Sequence, residues 1–417
     1  MRLREAGDFT GAIAAFRQAS IDPDPFVRAT ALWQVGAIFL EEFGDPRASI
    51  APLRQAWELQ HPEVGPLAGI DLGLAYEGAG QLSRASEAFE WVRELNDPRY
   101  SPYIAIPLSR VLFAAGETEK ARQVLHDAAA GADKSRAALA HQSLGELEQG
   151  LGNLVAAQAQ YELALQMDVQ DAPQVRVTLA QLQAKQGSTE EARKNYEAAL
   201  SEGVEHPASI RYVLASLQAH SGAWSEAMKN YELVWKADDD EFEAGRIEIR
   251  ANAAGMLAHL YQKAGDIGAA RGAAEYAADH GSDRVAARAI SFLAALDAAD
   301  GKGQAARAGY TRALLRAAGT LDLPEAQLGL ARLDESEGHL EDAIRGYEQL
   351  MKSKDEALKA AATFGKGRVL VKVGDRVGAR VAYQAALKGP ISPGLRKTVT
   401  QHLKELEDET HVPGGGN

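Results

Sequence analysis

Residues 69–92 read GIDLGLAYEGAGQLSRASEAFEWV. Leu72, Gly73 and Tyr76 recur at helical spacing on one face, and Ala85, Phe89 and Val92 do so on the next. The spacing predicts two short helices, 69–78 and 82–93, reversing at Gly80. A reversal there needs φ > 0, which glycine adopts without a Cβ penalty. Gly73 and Ala85 are small enough to let the two axes approach. Tyr76 and Phe89 fill the volume beside that contact.

The same unit is written along the whole chain. The reversal glycine recurs at Gly7, Gly44, Gly80, Gly116, Gly152, Gly187, Gly222, Gly265, Gly301, Gly338 and Gly374. Successive spacings are 37, 36, 36, 36, 35, 35, 43, 36, 37 and 36. Five positions after each stands a small residue, from Ala12 and Ser49 to Ala343 and Ala379. Nine positions after stands a bulky one (Phe16, Leu53, Phe89, Leu125, Tyr161, Tyr196, Tyr231, Tyr310, Tyr347, Tyr383), with Ala274 the exception. Leucine followed by a small residue marks the first helices, as in Leu144-Gly145, Leu179-Ala180 and Leu330-Ala331.

This pattern, L-G-x2-Y followed by A-x3-F, resembles the tetratricopeptide repeat over nearly the whole chain. The resemblance implies an all-α, right-handed superhelical solenoid of antiparallel helix hairpins: a partial first repeat, ten full ones and a C-terminal capping helix. Such arrays are stabilised by packing between neighbouring repeats.

Local departures set the expected organisation. Residues 1–236 hold repeats 1–7, the first lacking most of its leading helix because Gly7 is so close to Met1. A truncated start is therefore expected, with a signal peptide or earlier repeats missing; a misassigned start codon would look the same. The single spacing of 43 places extra residues at 237–250, read as an acidic insertion over Asp238–Glu243, a flexion point and a lengthened helix after Gly245. Seven extra residues are about two helical turns, so the buried face stays in register. Repeats 8–11 occupy 251–390. Within 391–409, residues 394–408 predict a cap with Leu395, Val399, Leu403 and Leu406 on one stripe, and 410–417 a disordered tail. Pro107 falls inside a first helix and is expected to kink it, and Pro46 and Pro52 mark the second repeat as irregular.

Composition narrows the chemistry. The absence of cysteine excludes disulfides, thiolate metal sites and cysteine nucleophiles, and with them the cysteine-based metal domain of some envelope repeat proteins. No apolar run is long enough to span a bilayer, and MRLREAGDFTG has no apolar leader region, which on its own reads as cytoplasmic; a truncated start would allow the periplasm. A net charge of −13 argues against nucleic acid. Residues 352–404 nonetheless carry 12 Lys/Arg against 3 Asp/Glu. That basic end could meet an anionic polymer, a membrane surface or the acidic end of a second copy. The ten histidines form no H-x3-H or H-E-x-x-H pair. Gly365-Lys366-Gly367 and Gly301-Lys302-Gly303 lack phosphate-loop spacing, and no G-x-S-x-G is present. Carboxylates are expected on outward positions, without the burial that would shift their pKa. No catalytic residue, metal site or cofactor is read.

The resemblance implies a groove lined by the first helices, taking a peptide segment. Its groove positions fall here on Tyr103, Ile106 and Arg110; Leu139, Gln142 and Glu146; Gln174 and Gln181; Tyr212 and Ser216; Asn252 and His259; Arg288, Arg332, Phe364 and Arg368. The carboxylate-clamping subset of the family has a Lys/Asn set where this chain has Gln34, Ile38, Asp71, Tyr103 and Pro107, which argues against a chaperone-tail receptor. Tyr212, Asn252 and His259 suggest an aromatic, hydrogen-bonding pocket, and Arg288, Arg332 and Arg368 an anion-binding ladder. Charge reversal at Arg332 and Arg368 is expected to leave folding intact. The function expected is a non-catalytic scaffold for a protein or peptide partner. The alternative is a periplasmic component of exopolysaccharide or cellulose export or of pilus assembly, and a third reading is an enzyme whose catalytic domain preceded this array.

Overall fold

The structure, a computed structural model of the chain, describes residues 2–131, 133–167, 169–237, 244–318 and 323–408. Among the described residues there are helices and no strands. They form two compact units, Met1–Glu205 and His206–Asn417. The first contains α1 (Arg2–Glu5), α2 (Phe9–Ala19), α3 (Pro25–Ala37), α4 (Pro46–Glu58), α5 (Gly65–Gly78), α6 (Leu82–Glu94), α7 (Ser101–Ala114), α8 (Thr118–Ala129), α9 (Lys134–Gly150), α10 (Leu154–Gln166), α11 (Ala172–Lys185) and α12 (Thr189–Glu202). The second contains α13 (Pro207–His220), α14 (Trp224–Trp235), α15 (Ala244–Ala264), α16 (Ile267–His280), α17 (Asp283–Ala299), α18 (Gly303–Ala317), α19 (Pro324–Glu337), α20 (Leu340–Leu350), α21 (Glu356–Lys372), α22 (Arg376–Lys388) and α23 (Pro393–Asp408). Within each unit every helix packs on its chain neighbours, giving a stack of hairpins.

All eleven reversal glycines have positive φ, from +59° at Gly44 to +87° at Gly374. Around Gly80 the Gln81 N–H reaches back to the Tyr76 carbonyl at 2.8 Å, and the same closure recurs from Asn153 to Glu148 and from Lys302 to Asp297, both 2.8 Å. Two helix-end carbonyls per hairpin are thereby satisfied in a Schellman-type stop. The helices predicted at 69–78 and 82–93 are α5 and α6; α5 starts earlier, at Gly65, because Pro66 in its first turn needs no N–H partner.

The small and bulky positions meet as the pattern requires. Every residue five after a reversal glycine is at most 1% exposed. A Cβ on Gly73, Gly145 or Gly367, each seven before a reversal glycine, would come within 2.5–2.7 Å of the ring nine after it: Phe89, Tyr161 or Tyr383. Gly329 and Gly365, nine before, instead make room for the tyrosine of the preceding hairpin, Tyr310 and Tyr347. One aromatic thus locks its own hairpin and its neighbour.

The second repeat is irregular, as the prolines suggest, but the departure lies in its first helix. Ile38–Glu42 form a π-helical turn continuing α3. It adds one residue, so the small residue facing Leu53 is Gly36, eight before Gly44 rather than seven. α7 runs through Pro107 from Ser101 to Ala114 without a break. The lengthened helix after the insertion is α15, 21 residues long. Residues 238–243 of the proposed insertion and flexion segment lie outside the described ones, as does the tail at 410–417. One apolar core runs from Ala215 to Leu333, on both sides of that segment. α23 caps the stack: Val399 and Leu406 are buried, and Leu395 and Leu403 pack on the same core.

Candidate partner-binding groove

Tyrosine hydroxyls and carboxylates make a second, polar layer of the repeat. The buried tyrosines reach their own first helix: Tyr161 donates to Gln149 (3.0 Å), Tyr347 to Glu335 (2.8 Å), and Tyr231 meets the Ser216 hydroxyl at 2.8 Å. Burial pushes the Tyr231 phenol up to about 12. Arginines six after a reversal glycine cross to the next hairpin, Arg122 to Glu148 (2.6 Å), Arg271 to Asp297 (2.9 Å) and Arg307 to Asp334 (2.6 Å). The hydrogen bond from Arg122 holds the Glu148 carboxyl below its ordinary range. Asp334, Glu337 and His339 lie close enough to suggest a metal cluster, but the Arg307 guanidinium already bridges Asp334 and Glu337, each at 2.6 Å.

Several candidate groove residues belong to this internal layer. Arg110 pairs with Glu77 in bidentate fashion, and Arg368 with the buried Glu335 at 2.7 Å. Both arginines stand six before their own reversal glycine, and both glutamates stand three before the previous one. Glu335 also meets Lys372 at 3.3 Å and accepts from Tyr347. Reversing Arg368 would leave that buried carboxylate facing a like charge, so the expected tolerance of the Arg368 reversal is corrected. Phe364 is only 7% exposed and packs on Tyr383 and His402, with ring centroids 5.6 and 5.5 Å away. It is part of the core beneath the cap.

In the first unit, Tyr103 is 61% exposed with the Arg136 guanidinium 5.3 Å from its ring. Ile106 and Leu139 line a cavity of about 410 Å³. Gln142 donates to Glu146 (3.2 Å), and Gln174 and Gln181 are exposed. Asp71 departs from the expectation for carboxylates. It is mostly buried, accepts from the Trp33 indole N–H at 2.7 Å, and burial pushes its pKa up to about 6.

The second unit holds a groove of about 490 Å³ running over the first helices α15, α17 and α19. Asn252, Arg288 and Glu325 stand thirteen before successive reversal glycines and line it together; His259, Met256, Arg284, Phe292 and Leu323 complete the wall and floor. The Asn252 amide nitrogen donates to the Glu248 carbonyl (2.7 Å) and to the Glu248 carboxylate (3.3 Å). His259 stands edge-on to Phe292, centroids 4.6 Å apart. Burial holds its pKa below the ordinary histidine value, partly offset by Glu325. Tyr212 lies outside this lining, edge-on to Tyr231 at 5.6 Å, though its phenol feels the charge of Arg284. The ladder of Arg288, Arg332 and Arg368 is therefore two places: Arg288 lines this groove, while Arg332 and Arg368 line a separate cavity of about 410 Å³. Arg332 occupies the position of Arg110 and Arg368, but Ala298 stands where its glutamate would be, and among the described residues it makes no ion pair. Sequence reasoning missed Arg284 and the Glu77 and Glu335 partners. The glutamates were findable, lying 33 residues before their arginines.

No curated protein sequence matches the chain significantly. Among solved structures it is similar to a tetratricopeptide repeat protein from Parabacteroides merdae (17% identity, 65% of this chain and 98% of that one, TM-score 0.46). It is also similar to yeast Tom70 (13%, 99% and 95%, 0.41) and to Pseudomonas aeruginosa pilF (17%, 57% and 99%, 0.42). A tetratricopeptide repeat-like domain model matches residues 248–408, and a tetratricopeptide repeat model matches 177–241. Together they span more than half of the chain, on the hairpins whose glycines, small residues and tyrosines were followed above, and the chain belongs to the tetratricopeptide repeat family.

Proposed function

We propose that this chain is a non-catalytic scaffold that holds a segment of a partner protein along the first helices of its second unit. The observation that carries this reading is the groove over α15, α17 and α19. Its floor is apolar, and its polar groups at Asn252, His259 and Arg288 are not required by the core, unlike Arg368 or Arg110. A groove of this volume with few convergent polar groups is the usual form of a binding site. Repeats on either side add small contacts that multiply affinity without any single strong one.

The test places a photo-crosslinking benzoylphenylalanine at Met256, on the groove, or at Leu315, which is 73% exposed on the second helix α18. A protein captured from Met256 and not from Leu315 supports the reading. Equal capture from both positions refutes it.

A further inference from the structure

Arg284 and Arg288 lie one turn apart on α17, both exposed and both lining the groove. Among the described residues neither guanidinium makes a hydrogen bond or an ion pair, although the chain carries a surplus of acidic groups. Arg271, Arg316 and Arg368 of the same unit are, by contrast, matched to Asp297, Asp283 and Glu335. Like charges at i and i+4 on a helix repel. Glu325, the carboxylate on the facing helix, is in ion-pair contact with neither guanidinium. An unmatched cation pair beside an apolar floor of Met256, Phe292 and Leu323 is complementary to a carboxylate next to a bulky apolar side chain.

Resting on the groove reading above, we infer that the occupant of this groove is an acidic peptide segment: its apolar side chain sits on the Met256–Phe292 floor and its carboxylates bridge Arg284 and Arg288. An anionic polysaccharide offers the charge without the apolar group, and the floor favours the peptide.

The experiment uses the full chain and fluorescein-labelled 12-residue Gly/Ser peptides with a central Phe flanked on both sides by Glu, Gln or Lys, with binding followed by fluorescence polarisation. The Glu peptide binds at least tenfold tighter than the Gln peptide, the Lys peptide binds weakest, and the preference shrinks as salt rises. In the Arg284→Gln/Arg288→Gln double variant the preference for Glu disappears, while the melting temperature stays the same or rises because the repulsion is gone. Equal binding of Glu and Gln peptides, a preference that survives the double variant, or a double variant that melts lower overturns the inference. So does polygalacturonate binding as tightly as the Glu peptide. Any of these alongside specific crosslinking from Met256 leaves the groove reading standing. Absence of binding by every peptide together with absence of crosslinking from Met256 removes both.

Discussion

Gly73 and Gly80 stand in the same hairpin, yet they act for different reasons. Gly80 has open space around its Cβ position and a φ of +74°, so Gly80→Ala strains the backbone alone, by about 1–2 kcal/mol. Gly73 has ordinary helical geometry, but a methyl there meets the Phe89 ring at 2.5 Å. Gly73→Ala is expected to cost about 1–3 kcal/mol through overpacking. Denaturant melts of Gly73→Ala and of Gly73→Ala/Phe89→Leu separate the two causes, since a smaller side chain at 89 rescues the first and does nothing for Gly80→Ala. Asp71 offers a test with a sign. Its folded pKa is raised to about 6, above the unfolded value of about 3.9. Between those values the folded state binds more protons than the unfolded one, so this carboxyl's contribution favours folding as pH falls from about 7 to 4. Asp71→Asn keeps an acceptor for the Trp33 indole and removes the buried charge. It should stabilise by about 1–2 kcal/mol at pH 8, with the advantage gone near pH 4. An advantage independent of pH would show that the carboxylate is not held at this high pKa.

Between helices, Glu335 joins α19, α20 and α21, because Tyr347, Arg368 and Lys372 all converge on it. Glu335→Ala leaves a guanidinium and a phenol without their partner and should cost about 3 kcal/mol or more. Arg332→Glu breaks no ion pair among the described residues, and its stability should move by no more than about 0.5 kcal/mol. If both variants melt alike, the distinction drawn between structural and free arginines on the first helices is wrong. The regularity behind this was partly visible beforehand. Glutamates at 77 and 335 stand 33 residues before Arg110 and Arg368, but a one-dimensional reading does not show that this offset brings two first helices into contact. The exposed valines of the last hairpin, Val373 at the end of α21 and Val377 and Val381 on α22, by contrast, carry no partner group that would say what covers them.

At the level of the stack, each hairpin's stability is its own packing plus that of its neighbours. Gly145→Ala in the first unit and Gly367→Ala in the second share no partner residues, the first meeting Tyr161 and the second Tyr383 and Ala382. Their effects on stability should add to within about 0.5 kcal/mol. Hydrogen exchange should accelerate most in the mutated hairpin and its two neighbours, and uniform acceleration along the chain would contradict the nearest-neighbour account. Deleting α23 uncovers the core that holds Val399 and Leu406, side chains worth roughly 1.5–3 kcal/mol each when buried. The loss should appear as faster exchange in α21 and α22 and as concentration-dependent association through the bared face.

The hairpins, their reversals and the small-to-bulky register follow from amino-acid order, because each rests on contacts within some 36 residues and repeats eleven times. A glycine that must take positive φ, or a methyl that must be absent beneath a ring, leaves its mark at a fixed offset. Whether an arginine on a first helix is free or bound leaves none. Arg110, Arg332 and Arg368 occupy one position in the repeat, and their difference lies in what the preceding hairpin sets opposite them: Glu77, Ala298 and Glu335. Likewise Asp71 looks like any outward carboxylate until the packing of α3 on α5 seats it under Trp33. The groove over α15, α17 and α19, with Arg284 and Arg288 left unmatched beside an apolar floor, exists only once three separate first helices lie side by side, since electrostatic pairing and burial are set by distance in space rather than along the chain.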